Sequence, residues 1–151
     1  MYIEYYKIRE HAPAPRRANP SDAGMDLAYW PEDGNAIIIN PGESVICGTG
    51  LKFGVPHGYM LQIMNRSSVA AKRSLVVGAH VVDAGYNGEV FINLHNIGKQ
   101  KRVIEPGDRI AQAVLVPVIH AAPVEHYEDE LYSRAYIESN RGDGALGSTD
   151  A

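Results

Sequence analysis

The chain contains a single cysteine, Cys47, and this scarcity limits its covalent chemistry. One thiol cannot form a disulfide within the chain, and structural disulfides are rare in reducing compartments. We therefore expect a protein of the cytoplasm.

Long hydrophobic runs are also lacking. The first residues, MYIEYYKIREH, contain no uninterrupted apolar core, so they do not resemble a secretory signal. The most apolar region, Ile110 to Val124, is interrupted by Gln112, Pro117 and His120. This region is too short and too interrupted to cross a bilayer, so we expect no membrane partner.

Neither sign of charge dominates the sequence. The 14 Lys and Arg residues and 18 Asp and Glu residues give a formal net charge of -4. This charge gives no global attraction to nucleic acid or to an anionic membrane, and we expect no direct nucleic-acid binding. A phosphate-binding site would have to concentrate its positive charge locally.

Short apolar stretches, each closed by glycine or proline, indicate an all-β fold. The chain has 15 glycines and 9 prolines, and it has neither long helical periodicity nor internal repeats. Its 151 residues suit one domain with a substantial core. Strands of about five residues with such turns are typical of a sandwich, a barrel or a jelly roll. The predicted strands include residues 36–39, 44–47, 51–55 and 59–64.

The stretch from Gly78 to Asn96 is predicted to form a β-hairpin. Val81 and Val82 favour a strand, and Asn87-Gly88 favours a turn with positive φ. Aliphatic residues then recur at every second position, at 90, 92 and 94, which is the period of a half-buried strand. Asp83 would lie where the strand ends and the loop opens, near enough to water to act as a base. Alternatively, Asp83 only stabilises the turn.

A short helix is predicted after Asn65, with a serine as its N-cap. A helix start beside Arg66 is a possible anion site, because free N–H groups and a guanidinium point the same way. In the alternative, Ser67 only caps the helix and Arg66 pairs with an acid.

Gln112 is the polar exception in a strand that is apolar on both faces, and which we therefore expect to be internal. An unpaired buried amide costs about 1–3 kcal/mol. Gln112 is therefore either satisfied by neighbouring backbone or available to a ligand.

The C-terminal part of the chain is predicted to leave the domain. We expect residues 1–122 to form the β domain and residues 123–151 to form a polar, acidic arm that ends in RGDGALGST. A glycine-rich end of this kind is either a disordered tail or a segment that wraps a polyphosphate with its backbone N–H groups.

Five segments, in this order, resemble the homotrimeric dUTP diphosphatases (dUTPases): AGMDLA, RSSVA, VGAHVVDAGYNGEV, GDRIAQ and RGDGALGST. The resemblance covers nearly the whole chain. It implies a jelly-roll or distorted β-barrel subunit with one short helix and an extended C-terminal arm. It also implies a homotrimer whose active sites lie at subunit interfaces, each closed by a shared glycine-rich lid.

The resemblance implies hydrolysis of dUTP to dUMP and pyrophosphate, which limits uracil incorporation into DNA and supplies dUMP for thymidylate synthesis. Asp83 would activate the water that attacks the α-phosphorus. Tyr86 would pack under the deoxyribose and exclude a 2′-hydroxyl. The backbone around Val81, Val82 and Phe91 would read the uracil edge.

The remaining predicted substrate contacts also follow from the resemblance, and most of them concern the phosphates and the lid. They are Arg66, Ser67, Ser68, Val77, Gln112, Arg141, Leu146, Gly147, Ser148 and Thr149. Mg²⁺ would be held by substrate phosphates and waters, with no direct protein ligand, and Asp26 would act at most through water.

Departures from the family pattern leave two other functions open. His80 replaces a usual glycine, Gly85 replaces an acid, and Ala145-Leu146 replaces Gly-Phe. A dCTP deaminase-like enzyme would need a glutamate where this chain has Asn93. A regulatory binding protein with the dUTPase fold is the third possibility.

Overall fold

The computed structural model of the chain describes residues 1–132 and 142–147. Its residues group into two compact units, Met1–Ile119 and His120–Ala151. In its described parts, the second unit contains a single 3-10 turn, Glu128–Glu130. Arg141, Ser148 and Thr149 lie outside the described residues, and their predicted roles remain predictions.

The first unit consists mainly of short strands. Its one α-helix, α1, covers Ser67–Arg73. The strands are β1 (Glu4–Lys7), β2 (Met25–Ala28), β3 (Ile37–Ile39), β4 (Ser44–Gly48), β5 (Leu51–Gly54), β6 (Tyr59–Met64), β7 (Leu75–Val77), β8 (Val81–Val82), β9 (Phe91–Asn96), β10 (Arg102–Ile104) and β11 (Arg109–Pro117). No helix in the described ranges is long and apolar enough to cross a membrane.

All strand pairs are antiparallel and form four sheets. The largest has the order β2-β11-β6-β8, and a three-stranded sheet has the order β4-β9-β7. The pairs β1-β5 and β10-β3 complete the set. The prediction of an all-β subunit with one short helix is confirmed, although the described strands do not close into a continuous barrel.

The apolar pattern of the sequence places the core correctly. Ile92 and Leu94 of β9 are fully buried, whereas Asn93 and His95 between them are only half-buried. Strand β11 lies between β2 and β6, which confirms that it is internal. Gln112 and Ala113 are paired on both edges, with β2 and with β6, so the strand is most firmly held at these two residues.

The predicted hairpin over Gly78 to Asn96 is wrong. Strand β8 pairs with β6, and β9 pairs with β4 and β7, so the two strands belong to different sheets. An isolated two-stranded hairpin has marginal stability, whereas each strand here has partners in a larger sheet. The connecting loop turns at Asp83, where the N–H of Tyr86 donates to the Asp83 carbonyl at 3.2 Å. The positive φ, 87°, is at Gly85 and not at the predicted Asn87-Gly88.

The start of α1 also differs from the prediction. Arg66 is the N-cap, and no side chain caps the helix; Ser67 is its first residue. The neighbouring Asn65 side chain instead accepts the N–H of Val77 at 2.7 Å, which joins the helix start to β7. The helix ends at Ser74, whose N–H donates to the Ala70 carbonyl at 3.1 Å.

Asn96 at the end of β9 is a buried amide with every polar group satisfied. Its Nδ2 donates to the carbonyls of Ile39 at 2.8 Å and Gln100 at 2.7 Å, and its Oδ1 accepts the N–H of Gly98 at 3.0 Å. These three bonds join β9, β3 and the following turn, so the side chain replaces strand pairing where the sheet ends.

Asn96→Ala should lower the free energy of unfolding by about 2–4 kcal/mol, because it leaves the buried Ile39 carbonyl and two partly buried backbone groups, of Gly98 and Gln100, without their partner. Urea unfolding at one fixed protein concentration measures the change. Asn40→Ala is the matched control, because Asn40 is exposed and its amide binds only Glu43. We expect a change within about 0.5 kcal/mol for this control. Equal losses in the two variants would contradict the assignment.

Candidate active site

The loop between β8 and β9 forms a small cleft that gathers the predicted base and sugar contacts. We call this 190 Å³ space the loop cleft. Its lining includes Val81, Val82, Asp83, Tyr86 and Phe91, which the sequence analysis selected, together with Glu89 and Val90. The loop thus brings two acids, Asp83 and Glu89, and two aromatic residues to the same space.

Asp83 has an exposed carboxylate at the mouth of the loop cleft. Its backbone position is set by Val82, which pairs with Leu61 of β6, and by the turn to Tyr86. Within the part of the chain that the structure describes, its carboxylate has no hydrogen bond and no ion pair. An acid held by its backbone but without a side-chain partner can accept a proton from a bound water.

Tyr86 is held against the loop by its own hydroxyl. The phenol donates to the Glu89 carbonyl at 2.8 Å. A Cβ on Gly88 would lie 2.5 Å from that hydroxyl oxygen, so glycine is required for the ring to approach the backbone. The ring stays about half-exposed and faces the loop cleft with a fixed orientation.

A second, more polar cleft gathers three of the sequence segments. We call this 300 Å³ space the polar cleft. The strand β2 region, the start of α1 and strand β11 meet there. Its lining is Ala18, Asp22, Ala23, Gly24, Asp26, Arg66, Ser67, Ser68 and Gln112.

Asp26 holds two arginines at the polar cleft. Arg66 Nε donates to Asp26 Oδ1 at 2.8 Å, and Arg109 Nη1 donates to Asp26 Oδ2 at 3.3 Å. Arg66 Nη1 also donates to the Arg109 carbonyl at 3.0 Å. The alternative in which Arg66 pairs with an acid is therefore observed. Arg66 Nη2 has no hydrogen bond among the described residues, so the guanidinium keeps donors for an anion.

Gln112 is partly satisfied by the backbone. Its Nε2 donates to the Asn65 carbonyl at 2.8 Å. Strand β11 places Gln112 opposite Asp26 on one side and Met64 on the other. A Cβ on Gly24 would overlap the Gln112 amide oxygen and lie 2.8 Å from Cδ, so the missing side chain of Gly24 makes room for this amide.

The two clefts are separate within one subunit and share no lining residue. Val82 pairs with Leu61, whereas Gln112 pairs with Met64, three residues further along β6. Val82 and Gln112 are therefore two strand spacings apart across the sheet and three residues apart along it, which gives a separation of roughly 14 Å. Asp83 lies one residue further away. The acid of one subunit is thus far from the polar cleft of the same subunit.

The remaining predicted residues lie elsewhere. Val77 ends β7 and lines neither cleft; its N–H is bound by Asn65. Leu146 and Gly147 belong to the second unit, where Leu146 is fully exposed and both have positive φ, 47° and 88°.

Three residues at or beside the polar cleft were not predicted as site residues: Asp22, Gly24 and Arg109. A signal was present for two of them, because Gly24 stands in AGMDLA and Arg109 stands in GDRIAQ. Among the described residues, no group of three or more His, Cys, Asp or Glu side chains could hold a metal.

An all-β subunit with one cleft built around a free carboxylate and another around an arginine defines a candidate hydrolase for an anionic substrate. Comparison with known families gives the particular class: the dUTPase family model matches residues 10–149. The deoxyuridine 5'-triphosphate nucleotidohydrolase of Hydrogenobaculum sp. is 35% identical, over 99% of this chain and 98% of its own. The chain therefore belongs to the dUTPase family.

Solved structures agree with this fold. A variant dUTPase from phage phi11 of S. aureus, described with a structural Mg(II) ion, gives a TM-score of 0.77 at 24% identity, covering 86% of this chain and 99% of its own. A variant of the Staphylococcus bacteriophage 80alpha dUTPase with dUpNHpp gives 0.75 at 25% identity, covering 98% of both chains. The jelly-roll class that the sequence predicted is confirmed.

Gly24→Ala should destabilise the protein by about 1–3 kcal/mol, because the new Cβ displaces the Gln112 amide. The same substitution in a Gln112→Ala background should cost much less, since Oε1 and Cδ are gone and only the Cβ of residue 112 remains close, at 3.0 Å. Denaturant unfolding of the four proteins in this double-mutant cycle measures the coupling.

Gly54→Ala provides the matched control for this cycle, because the nearest atom to its Cβ would be at 3.6 Å, an ordinary contact. It should leave stability nearly unchanged. An equal cost of Gly24→Ala in both backgrounds would show that Gln112 does not fill this space.

Proposed function

We propose that this protein hydrolyses dUTP to dUMP and pyrophosphate by attack of water at the α-phosphorus. The observation that carries the proposal is the partner-free Asp83 carboxylate beside the fixed ring of Tyr86 in the loop cleft. Family membership supports it, since relatives along the whole chain are named deoxyuridine 5'-triphosphate nucleotidohydrolases. Release of pyrophosphate from dUTP in the presence of Mg²⁺ tests it directly.

In this mechanism Asp83 is the general base. It accepts a proton from the attacking water while the water oxygen bonds to the α-phosphorus. The bond from that phosphorus to the bridging oxygen breaks, and pyrophosphate leaves. Most of the rate enhancement in such reactions comes from positioning and from stabilisation of phosphate charge.

The nucleoside would be selected in the loop cleft. Strand β8 is the last strand of its sheet, so one edge of its backbone is available to pair with a ligand. The backbone of Val81, Val82 and Phe91 would read the uracil edge as an added strand would be read. Tyr86 would lie under the deoxyribose, where its ring leaves no room for a 2′-hydroxyl.

The phosphates would bind in the polar cleft. Arg66, Ser67, Ser68 and Gln112 line this cleft and supply the donors. The lid would add Arg141, Ser148 and Thr149 at the phosphates, with Leu146 and Gly147 over the base. Val77 would support the site from the end of β7.

Mg²⁺ would neutralise phosphate charge as a cofactor. This ion keeps several waters and prefers one or two carboxylates together with substrate phosphates. The polar cleft fits that preference, because Asp22 and Asp26 both line it. Asp26 already pairs with two arginines, so it would contact the ion through water.

The active form would be a homotrimer with sites at subunit interfaces. A base must come within hydrogen-bond reach of the water that it activates, about 3 Å. The separation of roughly 14 Å between Val82 and Gln112 argues that Asp83 serves phosphates bound by a neighbouring subunit. A cytoplasmic location is supported by the single cysteine, Cys47, which is buried and cannot form a disulfide within the chain.

Deamination of dCTP receives no support from the structure. Asn93, at the position where the deaminases need a glutamate, is an amide whose Nδ2 donates to the Val45 carbonyl at 3.2 Å and whose Oδ1 accepts from His95 Nε2 at 2.9 Å. An ammonia assay with dCTP provides the comparison.

Asp83→Asn should lower kcat for dUTP by about 10²–10⁴-fold, because the amide keeps the shape but cannot accept the proton. Binding of dUpNHpp, measured by calorimetry, should stay close to that of the parent. Asp33→Asn is the matched control: Asp33 is an exposed acid that binds only the nearby N–H of Asn35. Asp83 would not be the base if its variant kept most of the parental kcat.

Mixing two inactive variants tests whether sites are shared between subunits. Ser67→Asp places an anion at an exposed helix start, which the fold tolerates but phosphate does not. Asp83→Asn and Ser67→Asp homotrimers should each be nearly inactive. A site in a mixed trimer works only when its acid comes from a Ser67→Asp subunit and its polar cleft comes from an Asp83→Asn subunit. Random assembly of an equal mixture gives this combination at about one site in four, so about a quarter of the parental activity should return.

Light scattering on each preparation verifies the trimer, three times 16.5 kDa. A mixture of Asp83→Asn with itself serves as the control and should regain nothing. Failure of the unlike mixture to regain activity, with trimers present, would place both clefts of one site in the same subunit.

A further inference from the structure

Arg9 and Glu89 form a bidentate ion pair, and Glu89 also lines the loop cleft. Arg9 Nη1 donates to Glu89 Oε2 at 3.1 Å, and Arg9 Nη2 donates to Glu89 Oε1. Their side chains are only 20% and 13% exposed. Loss of one partner from such a pair leaves an uncompensated charge in a poorly hydrated place. The chemistry proposed above uses neither side chain.

The pair connects four distant segments of the chain. Glu89 Oε1 also accepts the N–H of Gly50 at 2.8 Å. Arg9 Nε and Nη2 both donate to the Trp30 carbonyl, at 3.0 and 2.7 Å. Because both charged groups are bound to backbone as well as to each other, the position of Glu89 is set from several sides.

Glu89 also ends the loop that carries the proposed catalytic groups. Its carbonyl accepts the phenol of Tyr86 at 2.8 Å. The next residue, Val90, donates its N–H to the Leu51 carbonyl at 2.9 Å and accepts the Thr49 hydroxyl at 2.6 Å. Glu89 therefore has two roles: its side chain forms the ion pair, and its carbonyl orients the Tyr86 ring.

We propose that Arg9 and Glu89 are positioning residues for sugar selection. The ion pair fixes the Glu89 carbonyl, the carbonyl fixes the Tyr86 phenol, and the ring sets the room left at the 2′ position of the sugar. This role rests on the proposed hydrolysis of dUTP and on the place of Tyr86 under the deoxyribose. Neither residue touches a reacting atom, so both act through Tyr86.

Removal of the pair separates positioning from stability. Arg9→Met and Glu89→Gln each leave one charge alone and should lower the melting temperature. The double variant buries no lone charge, and its glutamine can still accept the Gly50 N–H, so it should regain most of the lost thermal stability. Its ratio of kcat/KM for dUTP to that for UTP should nevertheless stay about 2- to 10-fold below the parental ratio, the range expected for the loss of one neutral hydrogen bond, that from the Tyr86 phenol to the Glu89 carbonyl.

Tyr86→Phe tests the route through the phenol. It removes only the hydroxyl and should lower the dUTP-to-UTP ratio as far as the double variant does. Combining Tyr86→Phe with Arg9→Met and Glu89→Gln should lower the ratio no further, because all three changes interrupt one route. Fully additive losses would show that the ion pair acts elsewhere and would overturn the proposal.

Arg73→Met is the matched control variant. Arg73 also pairs with an acid, Asp108 at 3.7 Å, donates to the Val103 carbonyl at 2.6 Å and is 30% exposed, but it lies in α1. It should leave the ratio unchanged. A ratio that falls equally in this control would reflect general loosening of the fold and would overturn the positioning role.

The parent protein distinguishes failure of this role from failure of the proposed function. If the parent releases no pyrophosphate from dUTP, the proposed function fails and the positioning role fails with it. If the parent hydrolyses dUTP and the double variant discriminates between dUTP and UTP as well as the parent, only the positioning role fails.

Discussion

The pairing of β11 with both β2 and β6 is the constraint on which the candidate site depends. Its register places Gln112 opposite Asp26 on one edge and opposite Met64 on the other. Asn65 and Arg66 follow Met64 directly, and both bind groups at this point of the sheet. Residues of β2 and β6, each more than forty residues from Gln112 in the sequence, thus lie one strand spacing from it, on its two sides. A register slip of one residue would turn the Gln112 side chain to the opposite face of the sheet and dismantle the polar cleft.

The ion pairs around Asp26 explain how the cleft can be built before a substrate is present. Two guanidiniums that converge without an anion would repel each other, and Asp26 offsets this by binding one with each carboxylate oxygen. Asp26 therefore positions the arginines, and the Nη2 of Arg66, which has no hydrogen bond among the described residues, would be the donor for the proposed phosphate contact. A carboxylate with this task is a poor direct metal ligand, because a metal ion would compete with the arginines that the carboxylate positions.

Much of the fold could be predicted from local sequence, and the errors share one cause. Strand patterns at 44–47 and 59–64, the short helix and the buried β11 follow from residue type and periodicity. The choice of partner for a strand does not, because Val81-Val82 pairs as well with β6 as it would with β9 across a short loop. The predicted hairpin failed for that reason. Arg66 was selected as an anion ligand, yet its partner Asp26 lies forty residues away, and no local pattern specifies such a contact.

The surface of the first unit supports the proposed association of subunits. Ile38 and Val103 face each other across the β3-β10 pair, and both are exposed. Ile46 on β4 and Phe91 on β9 are also exposed, on the sheet that follows the loop cleft. Clusters of exposed large apolar side chains are typical of interaction surfaces, and subunit contact would bury them. In the proposed trimer, burial of this surface and access of Asp83 to a neighbour's polar cleft would both require association, so stability and catalysis would both depend on assembly.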